Sequence, residues 1–329
     1  FIPSIFIFTV FINFKKINKY LLIAISVFII LSLFSLAENI NLLRSFHKTY
    51  EIILCLIFSY FIVKKNYYNP YDIFLKYVFS ITFFSILFNM FTGGLNIVEI
   101  SGRFPSVNAN SIGSIFGVLF LYYLFFKKEF YISTVCLIFV LLSGSLSAIF
   151  SIIISILLYN ILRLKLLRIL LPNYISLSLV YCGILFIIIS NYNYLIINEI
   201  SLSGRVKWWT VLIENINQFD GVGLGNVKYI MGDLFGKEVT SHNFFIDYLL
   251  TFGYVPVILF LYFIFIFYFK KSILCIEEHP FNTLLFLFLV IKAFTSSTLG
   301  YYSFETSILL ISIFHMINLD RIKKNALQK

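Results

Sequence analysis

A few side chains in this sequence could together bind a phosphorylated substrate and react with it. Arg103 and Arg205 each follow a glycine, and a guanidinium offers a fixed fork of donors to phosphate oxygens. His242 can take up a proton near neutral pH, and it precedes Asn243 and Asp247. Such residues suit the binding of a phosphorylated donor and the activation of a hydroxyl group. A lone Arg beside a span is more often a headgroup anchor, and a lone His can cap a helix, so their placement decides their meaning.

Composition places the chain in a membrane. Hydrophobic residues make up 60% of it and charged residues only 12%, whereas a soluble domain carries about 25% charged residues. Long runs of Phe, Ile, Leu and Tyr, almost without charge, match the roughly 20 apolar residues that a span requires. A backbone in hydrocarbon must satisfy its own hydrogen bonds, so we predict helices and an all-α polytopic membrane protein.

The apolar runs divide the chain into about eleven transmembrane helices. There would be twelve if residues are missing before Phe1, where the sequence begins without a Met. The whole chain, 1–329, is expected to form a single transmembrane domain with one large periplasmic or extracellular loop, 192–243, between spans eight and nine. The spans are expected at 1–13, 20–36, 49–63, 73–92, 111–126, 130–144, 147–161, 174–191, 244–269, 281–298 and 302–317.

The distribution of Lys and Arg orients these spans. The formal net charge is +10, but the charges form short clusters between apolar runs, so we expect no nucleic-acid partner. Lys and Arg are abundant in alternate connections and sparse in the others, and the positive-inside rule makes the sparse connections external. The external set comprises Arg44, Lys48, Arg103, Arg205, Lys207, Lys228 and Lys237. The long loop and the candidate residues therefore face outward.

Residues 130–161 lie between two basic flanks that must share the cytoplasmic side. The chain must cross and return there, and we predict the turn at Ser143-Gly144-Ser145. Each arm is about 22 Å long at 1.5 Å per residue, which is shorter than the roughly 30 Å hydrocarbon core. Either the bilayer thins at this point, or the turn lies below the surface and lines a cavity.

Part of the long loop is expected to lie on the membrane surface. Apolar residues recur at helical spacing from 204 to 219 and predict an interfacial helix. They are Val206, Trp209, Ile213 and Ile216. This helix would hold Arg205 at the depth of a lipid-linked diphosphate. The GxGxG string at 221–225 is typical of a nucleotide loop, but no strand precedes it, so a tight turn or close backbone approach to a ligand is expected.

Two carboxylates, Asp247 and Glu305, fall within predicted spans. A charged side chain in a span is costly, so each is expected to have a partner or a wet cavity. Lys292, in the tenth span, is a candidate partner, or it extends outward to the headgroups. The outer side carries no Asp-x-Asp pair and no cluster of metal-binding side chains, so we expect neither a metal nor a cofactor.

These motifs resemble those of the O-antigen ligase and O-antigen polymerase superfamily. His242-Asn243, followed after nine residues by Gly253, is similar to the family's H-[NSQ]-x9-G signature. Arg205 in Ser-Gly-Arg with Trp208, and then the glycine string at 221–225, resemble its S-G-R-x-x-x-W and P-x-G-x-G stretch. The likeness covers most of the chain from about residue 95 onward.

Three positions depart from the family's pattern. The segment around Arg103 resembles the family's R-x-G-x-F-x-N-P-N motif in a shortened and rearranged form. Leu146 follows Ser143-Gly144-Ser145 where many members carry an Arg. If that Arg binds diphosphate in relatives, this chain must use another cation, with Arg103 the nearest candidate. Pro256 replaces the small residue that ends the His motif, and we expect it to kink the ninth span.

The resemblance implies glycosyl transfer from an undecaprenyl-diphosphate-linked oligosaccharide to a glycan acceptor, on the outer face of the cytoplasmic (inner) membrane. Arg205 and Arg103 would hold the diphosphate, and His242 would remove the proton from the acceptor hydroxyl. Asn243 or Asp247 would orient His242. Trp208 and Gly253 would support the site. The expected partners are the lipid bilayer, the donor, the acceptor and a regulator of chain length.

Several activities fit this resemblance. A polymerase would transfer the growing chain to another lipid-linked repeat, and the absence of an Arg at position 146 favours it. A ligase would transfer the glycan to the lipid A core of lipopolysaccharide. A protein-directed oligosaccharyltransferase is a more distant third. A transporter or flippase for the same lipid-linked glycans belongs to another class, for which inverted repeats and midplane carboxylates are typical.

Overall fold

The computed structural model describes residues 41–65, 69–92, 109–163, 205–214, 221–236, 240–253, 270–274, 276–294 and 303–327. All regular elements within these ranges are helices, as the predicted all-α class requires. In chain order they are α1 (Leu42–Lys65), α2 (Pro70–Thr92), α3 (Ala109–Tyr122), α4 (Phe130–Leu142), α5 (Leu146–Arg163), α6 (Arg205–Glu214), α7 (Val227–Phe235), α8 (Phe244–Phe252), α9 (Lys270–Leu274), α10 (Pro280–Ala293) and α11 (Phe304–Leu327). The spans predicted at 1–13, 20–36 and 174–191 lie outside the described residues.

Three helices in the described part of the chain are long and apolar enough to cross a membrane. They are Leu43–Lys65, Asn110–Lys127 and Leu146–Arg163. The second of these continues α3 through a π-helical turn, Tyr123–Lys127. On α4 and α5, large apolar side chains such as Tyr131 and Leu146 are 88% and 68% exposed. Outward-facing apolar side chains of this size indicate helices whose outer faces contact lipid.

The core lies where α3 packs against α4, α5 and α10. Phe116, in the middle of α3, is fully buried. Two glycines permit the close packing around it. A Cβ atom on Gly113 would lie 2.6 Å from that of Ser145, and one on Gly117 would lie 2.9 Å from the Phe288 ring. The long α11 packs along α1 and extends the bundle on the other side.

The predicted reversal between the arms 130–144 and 147–161 is confirmed. α4 ends and α5 begins on either side of Ser143-Gly144-Ser145. Gly144 has φ 64°, a left-handed conformation that glycine adopts without a steric penalty. Ser143 and Ser145 are buried, and the Ser145 hydroxyl donates to Oδ1 of Asn110 at 3.0 Å. The turn is therefore packed against α3.

The ninth predicted span, 244–269, is wrong as one continuous helix. α8 ends just before Gly253, which has φ 78° and ψ 179°, a conformation open essentially only to glycine. The carbonyls of Leu250 and Thr251, which would accept the next helical hydrogen bonds, instead accept from the backbone of the glycine string. The helix therefore stops there. The expected kink at Pro256 lies outside the described residues.

The long loop contains helices of its own. α6 confirms the predicted helix over Arg205–Glu214, while the remaining predicted positions, 204 and 215–219, lie outside the described residues. α7, Val227–Phe235, was not predicted. At 9 residues it has too few turns for its apolar periodicity to stand out in the sequence. Packing of its apolar side against α6 and α8 makes up for that short length.

Candidate functional site

α8 lies between the helical bundle and the folded part of the long loop. Four of its aromatic side chains belong to the core of the bundle, namely Phe244, Phe245, Tyr248 and Phe252. On its other face, Ile246 and Leu250 pack in a second apolar cluster with residues of α6 and α7. Because α8 is buried on both faces, the residues at its N-terminus are held in a defined position.

His242 immediately precedes the cap of α8 and has a left-handed backbone. Its φ is 59°, a conformation that residues other than glycine seldom adopt and that costs on the order of 1 kcal/mol. Its two neighbours are joined to each other. The Ser241 hydroxyl donates to the Asn243 carbonyl (2.9 Å) and accepts from the Asn243 N–H (3.1 Å). The His242 side chain is partly exposed, as a group that meets a substrate must be.

Asn243 and Asp247 fix the backbone on either side of His242. Asn243 caps α8, because its Oδ1 accepts from the N–H groups two and three residues ahead, at 3.0 and 3.2 Å. Asp247, one turn inside α8, accepts from the Ser241 N–H at 3.1 Å through Oδ1. The sequence predicts that one of these two residues orients His242. The structure shows that the Asp247 side chain holds Ser241, which precedes His242, and that the Asn243 side chain holds the start of α8.

The tryptophans of α6 reach the same loop. Trp209 donates from Nε1 to the Ser241 carbonyl at 2.8 Å. The ring of Trp208 lies nearly parallel to the His242 imidazole, with an interplanar angle of 22° and 6.4 Å between centroids. Arg205 begins α6, one turn before Trp208. The helix that Arg205 begins and the His motif, distant in sequence, therefore meet here.

The tight turn predicted at 221–225 is confirmed, and it packs against α8. Gly221, Gly223 and Gly225 have φ of 85°, 88° and 80°, which a side chain would disfavour. The N–H groups of Val222 and Gly223 donate to carbonyls near the end of α8, at 3.0 and 3.1 Å. The glycine turn thus brings its backbone close to the backbone of α8.

The same turn also contacts the first turns of α1. The Ser45 hydroxyl donates to the Leu224 carbonyl at 3.1 Å. Asn41 donates from Nδ2 to the Tyr229 hydroxyl at 3.3 Å, and the Arg44 guanidinium lies over the Tyr229 ring, 5.1 Å from its centroid. The turn that binds the C-terminal end of α8 therefore also contacts the end of α1 that carries the predicted external cations.

A buried cation lies close to the turn that joins α4 and α5. Lys292 is 2% exposed, and its Nζ donates to the Ser147 hydroxyl at 3.2 Å. It therefore does not extend outward to the headgroups. Two residues further on, Phe294 packs on Phe245 of α8, with 4.7 Å between ring centroids. Lys292 thus lies beside the turn that precedes Leu146, and near the start of α8.

The structure brings Trp208, His242, Asn243 and Asp247 together, and it places Gly253 at the end of α8. Arg103 lies outside the described residues. Ser241 joins the site although no motif points to it. In the sequence, the only indication that Ser241 belongs to the site is its position next to His242. No three His, Cys, Asp or Glu side chains are grouped as metal ligands in the part of the chain that the structure describes.

Glu305, the other carboxylate expected to have a partner or a wet cavity, begins α11. It is 3% exposed, and within the described residues its Oε1 makes no hydrogen bond. Ser303 caps this helix by accepting from the Thr306 N–H at 3.1 Å. Glu305 is thus a buried carboxylate in the first turn of a helix, where the helix dipole favours negative charge.

The comparison with known families covers this site. Residues 131–261 match the family model described as O-antigen ligase. The matched region runs from α4 to beyond α8, so it contains every predicted site residue except Arg103. No curated protein and no solved structure matches the chain. The resemblance inferred from the motifs is confirmed by this match, because residues 131–261 are similar to the O-antigen ligase family.

Proposed function

We propose that the protein is a multi-pass membrane glycosyltransferase that polymerises undecaprenyl-diphosphate-linked oligosaccharide repeats on the outer face of the cytoplasmic membrane. The family match supports glycan transfer of the ligase or polymerase kind. The observation that supports placing glycan transfer at His242 is the conformation of the loop around this residue. His242 has a strained backbone and a partly exposed side chain, and it lies between a capped helix and a tryptophan of the matched region. Strained backbone of this kind is concentrated at functional sites.

The topology that goes with this proposal is the one the charges predict. The chain forms one transmembrane domain of about eleven spans, and the loop 192–243 lies outside. Two contacts support the placement of the folded loop at the predicted outer ends of α1 and α10. The glycine turn of the loop packs on the end of α1 that carries Arg44, and the start of α8 packs on the end of α10.

In the proposed reaction, the acceptor hydroxyl attacks the anomeric carbon of the donor glycan. The new bond joins that carbon to the acceptor oxygen, while the bond between the carbon and the diphosphate oxygen breaks. The hydroxyl proton passes to His242, and undecaprenyl diphosphate leaves with the bonding electron pair. A single displacement inverts the anomeric centre.

Cations are expected to stabilise the leaving group. The diphosphate leaves as an anion, so fixed positive charges lower the barrier without a general acid. We assign this role to Arg205 and Arg103 and expect the reaction to need no metal. Arg205 begins the helix whose next turn contacts His242 through Trp208, which supports its assignment.

The assignment to His242 is tested with two variants that keep the backbone conformation. Asn and Gly tolerate a positive φ better than Ala does, so His242→Asn and His242→Gly separate loss of the base from loss of loop geometry. We expect both to reduce elongation of purified lipid-linked repeats by at least about 100-fold, as for loss of a general base. Added imidazole should partly restore the Gly variant.

The matched control is His47→Asn. His47 is also predicted to be external, and its side chain is 67% exposed on α1. This variant should elongate at the wild-type rate. A correctly inserted His242→Asn protein that still extends glycan at that rate would remove His242 from the mechanism.

Ligation is the second candidate function, favoured by the description of the matched family model. The two activities differ in the acceptor, which is lipid A core for a ligase and another lipid-linked repeat for a polymerase. The glycans of a deletion strain distinguish them. Decoration with single repeats indicates a lost polymerase, and full-length polymer left on the lipid carrier indicates a lost ligase.

Transport is tested with the purified protein in liposomes that contain lipid-linked repeats. An enzyme lengthens the glycan without moving it across the bilayer. Glycan that crosses the bilayer without lengthening would refute the enzymatic proposal.

A further inference from the structure

Arg44 is held in place at the outer end of α1 by the folded loop. Its guanidinium lies over the Tyr229 ring, 5.1 Å from the centroid. A Cβ atom on Gly225 would lie 3.3 Å from both Cγ and Nε of Arg44, so the turn is in contact with the side chain. The hydrogen bond from Asn41 to the Tyr229 hydroxyl fixes the ring in turn. An arginine positioned in this way loses little entropy when it binds a ligand.

The donors of this guanidinium are not used by the part of the protein that the structure describes. There, no carboxylate lies within ion-pair distance of Arg44, and its side chain donates no hydrogen bond. One turn further along α1, Lys48 shows the ordinary alternative, because it pairs with Glu51 at 2.6 Å. Arg44 is also partly exposed. Its geometry suits an anion that accepts from two donors at once.

Arg44 and His242 lie toward opposite ends of α7. Tyr229, which stacks on Arg44, and Phe235 are six residues apart, or about 9 Å along the helix axis. Phe235 in turn packs on Trp208, with 6.0 Å between ring centroids, and Trp208 lies 6.4 Å from the His242 imidazole. Part of α7 and two aromatic rings thus lie between Arg44 and His242 along this series of contacts. An anion at Arg44 is therefore assigned to another substrate group than the one that reacts at His242.

We propose that Arg44 binds the diphosphate of the acceptor lipid. This inference rests on the proposed polymerase function, in which the donor and the acceptor are both lipid-diphosphate-linked. The acceptor reacts through a hydroxyl at the end of its glycan, so its own diphosphate lies one oligosaccharide away from His242. The folded loop, with α7 between the two positions, holds the two diphosphates apart and sets the length of acceptor that reaches the imidazole.

The other source of a phosphate at this site is an anionic phospholipid headgroup, since cations beside spans commonly contact headgroups. The two sources make different demands on the side chain. A headgroup anchor needs a positive charge, which Lys supplies equally well. A two-pronged grip on a diphosphate needs the planar fork of Arg.

Binding is measured on the full chain in phosphatidylcholine nanodiscs, with undecaprenyl diphosphate as the probe and native mass spectrometry to count the bound molecules. We expect two sites on the wild-type protein and on His242→Asn, and one on Arg44→Gln. Arg44→Lys should weaken the second site by at least about tenfold, because it loses hydrogen bonds to a charged group. Lys48→Gln is the matched control on the same helix and should keep both sites.

Three results would overturn the proposal. These are a single site on the wild-type protein, equal binding by Arg44→Lys, and displacement of the second diphosphate when phosphatidylglycerol is included in the nanodiscs. The last result would identify a headgroup site.

Kinetics separate a binding role from a structural one. Arg44→Gln should raise the KM for the acceptor by at least about tenfold while kcat and the KM for the donor stay near wild type. A fall in kcat together with a lower melting temperature would mean that Arg44 only anchors the loop. Wild-type protein that elongates glycan but has one diphosphate site refutes the role of Arg44 alone. Two sites without any elongation refute the polymerase instead.

Discussion

The contact between Trp209 and Ser241 gives a sensitive test of how the His242 loop is held. Trp209→Phe keeps an aromatic ring in the apolar cluster but removes the Nε1 donor, 2.8 Å from the Ser241 carbonyl. A neutral hydrogen bond contributes about 1 kcal/mol, and a buried carbonyl left without its donor costs about 1–3 kcal/mol. The left-handed backbone of His242 itself costs on the order of 1 kcal/mol. The free energy lost with this hydrogen bond is therefore at least as large as the backbone strain at His242.

We expect Trp209→Phe to lower kcat/KM for elongation by about 5- to 30-fold, the factor that corresponds to 1–2 kcal/mol. The melting temperature should fall only slightly, because the ring remains packed. The assay is the initial rate of elongation with purified lipid-linked repeats in nanodiscs.

Trp208→Phe is the matched control, one residue away. The indole N–H of Trp208 donates no hydrogen bond within the described residues, and a phenyl ring still lies beside His242. This variant should stay within about threefold of wild type. Equal rates for Trp209→Phe and wild type, or equal losses in both variants, would show that the hydrogen bond to Ser241 does not position the imidazole.

Three further outcomes follow from the packing. Gly225 and Gly236 both have a positive φ, but only Gly225→Ala also crowds α1. Differential scanning fluorimetry should therefore show the larger loss of stability for Gly225→Ala, while Gly236→Ala should lower the free energy of unfolding by only about 1 kcal/mol. Ser147→Ala removes an acceptor from a buried ammonium and should destabilise the protein by about 1–3 kcal/mol, whereas Ser151→Ala, which loses only a bond within its own helix, should be nearly neutral in the same assay. Burial raises the pKa of the Asp72 carboxyl, but hydrogen bonds and charges from two lysines outweigh it and lower the pKa below the usual 3.8. Its stabilising contribution is therefore constant above that pH and lost as the pH falls through the lowered value, so the melting temperatures of wild type and Asp72→Asn should converge only at that acidic end.

Much of the helical framework could be predicted from the sequence. In lipid a backbone must satisfy its own hydrogen bonds, so a long apolar run is necessarily a helix and its length is close to that of the span. This is why α2 to α5 and α10 begin close to their predicted starts, whereas α1 begins at Leu42, well before the predicted start at 49. The turn at Ser143-Gly144-Ser145 was predictable for a related reason, since charged flanks on one side require the chain to return.

The end of α8 could not be predicted in this way. Residues 244–269 are mostly apolar and contain a single charged residue, Asp247, so their composition predicts one span. The helix stops because the glycine turn occupies the carbonyls of Leu250 and Thr251. Those hydrogen bonds join residues almost thirty positions apart, and no local pattern encodes them.

By itself, the sequence determined the membrane environment, the helical class, the family motifs and the candidacy of His242. Each of these depends on local composition or on spacing within one segment. Only the tertiary structure decided that Trp209 holds the Ser241 carbonyl, that Lys292 lies against Ser147 and that Arg44 stacks on Tyr229. These pairs form because separate segments bury their apolar faces against one another, and that choice of partner depends on shape over the whole fold.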